Sequence, residues 1–212
     1  MRAPAPPKLP PTLREAAPEL DDEASYQGLD LAGVDLSGQV AEAVEFDRCR
    51  FARASLAGAQ LEGAAFTDCR VDHCDWANLR ARKSSLSRVA VDHSRLTGLH
   101  WVDGSLRDVV FRECRLDLAT LRFTRFKDVE FVDCAITRAD FTAADLRGAR
   151  FTGCDLSGAQ FAEARAEGAR FAGCTLGGVG SVGSLRGAVI AETDLAALTH
   201  TFAAALGIVI ES

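Results

Sequence analysis

Residues 111–176 read FRECRLDLAT LRFTRFKDVE FVDCAITRAD FTAADLRGAR FTGCDLSGAQ FAEARAEGAR FAGCTL. Every fifth residue is apolar: Phe111, Leu116, Leu121, Phe126, Phe131, Ile136, Phe141, Leu146, Phe151, Leu156, Phe161, Ala166, Phe171 and Leu176. A period of five is neither the alternation of a strand nor the 3.6-residue period of a helix. A fixed self-similar period marks a repeat architecture. The frame runs back unbroken to Leu31, which makes 30 consecutive apolar positions holding 10 of the 12 Phe and both Trp. A second frame, two residues earlier, is mostly small: Cys49, Cys69, Cys74, Cys114, Cys134, Cys154, Cys174 and many alanines. Each block of five thus supplies one large and one small inward side chain and three outward ones.

Blocks such as Ala139-Asp140-Phe141-Thr142-Ala143, Ala144-Asp145-Leu146-Arg147-Gly148 and Cys154-Asp155-Leu156-Ser157-Gly158 resemble the A(D/N)LXX units of pentapeptide repeat proteins. The resemblance covers about residues 29–180. It implies an all-β fold, a right-handed quadrilateral β-helix with four five-residue faces per coil. The spacing of like residues agrees independently. Cys114, Cys134, Cys154 and Cys174 recur at 20, as do Phe111, Phe131, Phe151 and Phe171, and Leu116, Ile136, Leu156 and Leu176. If 20 residues close one coil, identical side chains stack about 4.8 Å apart.

The 212 residues suffice for one domain. A net charge of −6 does not call for a nucleic-acid partner. No apolar run reaches the 18 residues of a membrane span, and the N-terminus lacks the apolar centre of a signal peptide. All seven cysteines fall on the small inward frame. They read as reduced packing residues of a cytoplasmic protein.

The expected organisation is a tail over 1–25, a repeat solenoid over 26–181, and a final partial coil, capping helix and short tail over 182–212. All six prolines lie in the first 25 residues. That segment reads as a solvated tail with a short helical turn at Leu13–Leu20; a proline-motif ligand is the alternative. Glycine falls repeatedly two residues after the frame, as at Gly58, Gly98, Gly148 and Gly158, and marks a corner that tolerates positive φ. Residues 76–110 carry Trp76, Trp101, Leu79, Val89, Leu99 and Val109, which predicts irregular coils or a kink. Glycines 177, 178, 180 and 183 mark a break, after which the large residues come one step early. Residues 193–206 read as a helix with Thr193 at the N-cap and Gly207 at C′. Its stripe of Leu195, Leu198, Phe202 and Leu206 would cover the open coil end or pair two chains. Ile208-Val209-Ile210 reads as a short β-prone tail.

Charge is uneven. Residues 1–75 carry 7 basic and 14 acidic side chains, 76–127 carry 11 and 5, and 128–212 carry 6 and 11. The sequence holds no catalytic motif and no cofactor signature. One local coincidence stands out: Asp72-His73 and Asp92-His93 lie 20 apart, so His73, His93 and Glu113 fall in one column, a weak metal-ligand set against a solvated repeat face. The expected function is that of a non-catalytic binding scaffold. The family resemblance implies DNA gyrase or another topoisomerase as its partner, bound by a DNA mimic that gives drug or toxin protection and dimerises through its C-terminal helix; a generic protein-interaction scaffold is the alternative. The basic middle of the chain counts against a continuous acidic mimic.

Overall fold

The computed structural model describes residues 2–17 and 19–209. It is a right-handed parallel β-solenoid of about eight turns with one small helix near the C-terminus. Registers step by 20: Ser85 pairs with Ser105 and Ser105 with Arg125, while Phe131 pairs with Phe151 and Phe151 with Phe171. The ladder is longer than the 26–181 span. It opens with Arg14–Glu15 on Leu29–Asp30 and closes with Val189–Ile190 on Arg170–Phe171, where the step shortens to 19.

The inward frames form one continuous core. Phe111, Phe131, Phe151 and Phe171 stack with ring centroids 4.8–4.9 Å apart and planes within 5°. Leu116 and Leu156 are buried beside them. The seven cysteines are buried and unbridged. Each thiol in the long column donates to a carbonyl of the preceding coil, as Cys154 Sγ does to the Phe131 carbonyl at 3.4 Å. The sulfur one coil below, together with burial, pushes Cys134 and Cys154 up to about 12. These thiols stay protonated and serve as small apolar packing groups.

The corners show what the glycines signalled, with a correction. Every position two residues after the frame, from Gly28 to Gly178, has φ between 48° and 78°, whether it is Gly, Asp, Arg, His or Phe. Glycine is therefore not required. The corner amide stays in the ladder (Arg48 donates to the Thr67 carbonyl at 2.8 Å and Asp68 to that of Ser87 at 2.9 Å), which offsets the cost of the left-handed backbone.

The irregularity expected at 76–110 is absent. Ser85–Asp92 and Ser105–Arg112 are instead among the longest strands, eight residues each. Compensation comes from neighbouring blocks. Trp101 pairs in register with Ala81, and Gly104 leaves room for its indole: a Cβ there would lie 2.4 Å from Trp101 Nε1 and 2.6 Å from the Ser84 carbonyl.

The N-terminal segment also departs from expectation. The described residues of 13–20 contain no helical turn; Arg14–Glu15 is a strand. Ahead of it, the proline-rich stretch lies against the solenoid rather than in solvent. The Ala5 amide donates to Asp108 Oδ1 at 2.8 Å and the Lys8 amide to Asp68 Oδ1 at 3.0 Å.

At the other end the α-helix spans Leu195–Ala205. Thr193 does not cap it. It sits in a preceding 3-10 turn, and its hydroxyl donates to Asp194, whose other carboxylate oxygen accepts the Cys174 amide at 2.8 Å. Asp194 thus closes the cysteine column. Of the expected stripe only Leu198 enters the core, fully buried; Leu195, Phe202 and Leu206 remain at least 37% exposed. Gly207 has φ of +70°, and the Ile208 amide bonds back to the Ala203 carbonyl at 2.8 Å, a Schellman-type ending. Ile208 and Val209 form no strand, and Ile210 lies outside the described residues.

Two substitutions test this core. Phe151→Ala should destabilise by about 3–5 kcal/mol, because a stacked column cannot collapse around the void. Gly104→Ala should cost about 1–3 kcal/mol by overpacking against Trp101. Denaturant titrations of both variants matching the parent chain would contradict the packing.

Candidate functional site

The outward positions inherit the same 20-residue columns, so surface charges meet across coils. Arg88 chelates Asp68 at 2.6 and 2.7 Å, Arg112 reaches Asp92 at 2.9 Å, and Arg95 reaches Asp75 at 3.0 Å. Arg50 pairs with Asp30, Lys83 with Glu62, and Arg150 with Glu130. The acidic side chains are therefore interleaved with cations, and the surface is a mosaic rather than a continuous negative face.

The histidine column forms as the spacing indicated. His73 and His93 stack at 4.8 Å between centroids, 13° from parallel. His73 Nδ1 lies 2.9 Å from Asp72 Oδ1, while His93 lies 3.6 Å from Asp72 and 3.4 Å from Glu113. Asp92 is held by Arg112 instead. The ligand atoms of Asp72, His73 and His93 fall within 4.8 Å of one another. Two nitrogens on one zinc, at about 2.1 Å each, must sit closer than about 4.2 Å. Both rings are exposed and lie within reach of carboxylates.

A second feature was missed by the sequence reading. In the coil that runs from Leu116 to Ala135, Leu118 and Phe123 occupy left-handed corners with φ of 60° and 57° and are 56% and 51% exposed. The Arg122 guanidinium lies 5.5 Å over the Phe123 ring. The same coil carries Arg125 and Lys127, which with Arg107 and Arg147 border a shallow cleft of about 620 Å³. Arg147 is neutralised by Asp145 at 2.6 Å. Among the described residues Arg107, Arg125 and Lys127 make no ion pair. Bulky residues at positive φ are rare, and that rarity was the signal available in the sequence at Leu118 and Phe123.

The family model for the pentapeptide repeat region matches residues 44–121 and 104–180, more than half of the chain, and the chain belongs to that family. No curated protein matches it. Among solved structures it is similar to QnrB1, a plasmid-mediated fluoroquinolone resistance protein, at 20% identity over 84% of this chain and 99% of that one, with a TM-score of 0.38. A pentapeptide repeat protein of the Arabidopsis thaliana thylakoid lumen is 30% identical over 57% of this chain and 69% of its own, with a TM-score of 0.36. HetL of the cyanobacterium Nostoc, involved in heterocyst differentiation regulation, is 18% identical over 79% of this chain and 87% of its own, with a TM-score of 0.27.

The Asp68–Arg88 pair carries a pH prediction. The hydrogen-bonded Arg88 guanidinium holds the Asp68 carboxyl below the usual carboxylate range, against the opposing effect of burial. A carboxyl depressed in the folded state contributes stability that is fully present above its unfolded value, about 3.9, and is lost as pH falls through the folded value. Asp68→Asn should therefore be less stable than the parent at pH 7, by about 1–3 kcal/mol. The gap should close as urea titrations are repeated down to about pH 2. A gap independent of pH would contradict the assignment.

Proposed function

We propose that the chain is a non-catalytic protein-binding rod whose contact surface centres on Leu118, Phe123 and the unpaired cations Arg107, Arg125 and Lys127. The observation that carries this reading is the exposure of two large apolar side chains on corners where small or polar residues suffice. Aromatic and arginine side chains are the residue types that anchor protein interfaces. The inward frames use the thiols and nearly all the aromatics, leaving no cysteine nucleophile on the outer face. The outward face is long and flat, which suits a macromolecular partner better than a small substrate.

The narrower reading, a gyrase-binding protein that gives fluoroquinolone protection, is drawn from the family resemblance. The cross-coil ion pairs weigh against imitation of a DNA backbone, because the carboxylates are neutralised one coil away. They leave open a gyrase contact made through the Phe123 patch. The helix end offers a separate contact. Leu206 and Val209 are 76% and 86% exposed, which favours pairing of two copies through that end.

A photo-crosslinking amino acid at Phe123, in cells of the source organism, should give one or a few discrete adducts. Leu118→Arg in the same chain should remove them. A crosslinker at Phe123 that yields no discrete adduct would sink the proposed surface. Purified gyrase then separates the two readings: an adduct with gyrase, and an altered supercoiling response to a fluoroquinolone, would identify the partner. Sedimentation should show a concentration-dependent dimer, lost in Phe202→Asp with Leu206→Asp. A parent chain monomeric at high micromolar concentration would remove the pairing role of the helix.

A further inference from the structure

Residues 2–11 hold five of the six prolines. Among the described residues no hydrogen bond joins members of this segment to one another. The segment runs lengthwise across the coils. The Arg2 carbonyl accepts from Arg150 Nη1 at 3.1 Å, the Ala5 amide reaches Asp108, and the Lys8 amide reaches Asp68. Three residues of the segment, from Ala5 to Lys8, thus correspond to 40 residues of solenoid, from Asp108 to Asp68, which is two coils.

The match has a geometric basis. Proline-rich chain favours polyproline II, which rises about 3.1 Å per residue with three residues per turn, so one turn advances about 9.3 Å. Two coils advance about 9.6 Å at the spacing of parallel strands. An extended segment with a donor at every third residue therefore stays in step with a column of acceptors on alternate coils. Within residues 4–8 Pro4, Pro6 and Pro7 have no amide hydrogen, and the two amides that remain, on Ala5 and Lys8, are the two that bond.

The solenoid side is shaped for this occupant. Asp68 and Asp108 are corner residues of one column, with Arg88 between them fixing the Asp68 carboxylate. The neighbouring outward column reads Asp30, Arg50, Arg70, Ala90, Val110, Glu130, Arg150. Its charged series is interrupted at Ala90 and Val110, on the coils that carry Arg88 and Asp108, between the bond to Lys8 and the bond to Arg2. These two outward apolar residues are only 6% and 8% exposed. Their low exposure, on coils that the segment crosses, fits a shallow groove filled by it.

We propose that this groove is a recognition site for extended proline-rich segments, with the chain's own residues 2–11 as resident occupant. The segment acts as a gate: a proline-rich stretch of another protein enters when the resident one leaves. The required ligand is a polyproline II peptide with a free amide at every third residue and a basic side chain near the Asp68 end. This surface is independent of the Phe123 patch and of the partner assigned to it.

The test uses the full chain. Ala5→Pro with Lys8→Pro keeps the segment extended but deletes both donors, which should vacate the groove. A fluorescent peptide of residues 2–11 (Arg-Ala-Pro-Ala-Pro-Pro-Lys-Leu-Pro-Pro) should then bind this variant saturably, at least tenfold more tightly than the parent chain. Adding Asp108→Ala, which leaves the Asp68–Arg88 pair intact, should abolish the gain. Equal binding by both chains, or no binding by the double-proline variant, overturns the proposal. In the unmodified chain, hydrogen exchange reads occupancy directly. The Ala5 and Lys8 amides should exchange at least tenfold more slowly than the Ala3 amide; equal rates would mean that the groove is not filled by its own segment.

Discussion

The structure depends on one backbone constraint, a left-handed residue at every fifth position whose amide remains in a parallel ladder. Four such corners turn the chain through one coil, and the next coil repeats the turn about 4.8 Å further on. The corner conformation is unfavourable for most side chains in isolation. Here it carries Asp, Arg, His, Leu and Phe, because the corner amide is at most positions bonded to a carbonyl of the following coil, as at Leu118 and Phe123. Local strain and long-range pairing are therefore inseparable. Within the repeats the frame cannot slip by one residue without placing apolar side chains outside; the single step of 19 comes only at the last rung, where Val189 and Ile190 pair with Arg170 and Phe171.

Repetition then governs the surface as strictly as the core. A residue type recurring at 20 becomes a stripe along the rod, and charges of opposite sign at that spacing become ion pairs such as Asp68–Arg88 and Asp92–Arg112. Individually exposed pairs contribute little to stability. Collectively they set a neutralised, mosaic surface. Function is to be sought where the stripes break. Ala90 and Val110 interrupt a charged column on coils that the proline-rich segment crosses. Leu118 and Phe123 interrupt a series of small and polar corners. Arg107, Arg125 and Lys127 interrupt the pairing. No helix among the described residues is long and apolar enough to cross a membrane.

The core was legible because its signal is periodic. Phe111 to Phe171 and Cys114 to Cys174 could be assigned inward from spacing alone, and their columns follow. The features that escaped reading are those in which two distant stretches meet. Trp101 looked disruptive by its volume, but Ala81 and Gly104 make room for it, and that relation appears only once coils are stacked. The proline segment has no period of its own, so nothing within it announced a match to two coils; the signal lay far along the chain, in the break at Ala90 and Val110. The helix stripe was visible as a pattern, yet one coil end accommodates Leu198 and leaves Phe202 and Leu206 outside. Thr193 fitted an N-cap by residue type, but Asp194 beside it serves the last coil instead.

The central claim is that the fold unit is the 20-residue coil, held by corners and columns rather than by any one segment. The most direct measurement compares two insertions after Asp155, beyond the coils crossed by the proline-rich segment. One duplicates residues 136–155 and so adds a complete coil in register. The other adds a single alanine. The duplicated chain should unfold cooperatively at or above the melting temperature of the parent, since every frame, corner and column is preserved. The single insertion should lower that temperature sharply. Equal destabilisation by both insertions would contradict the account.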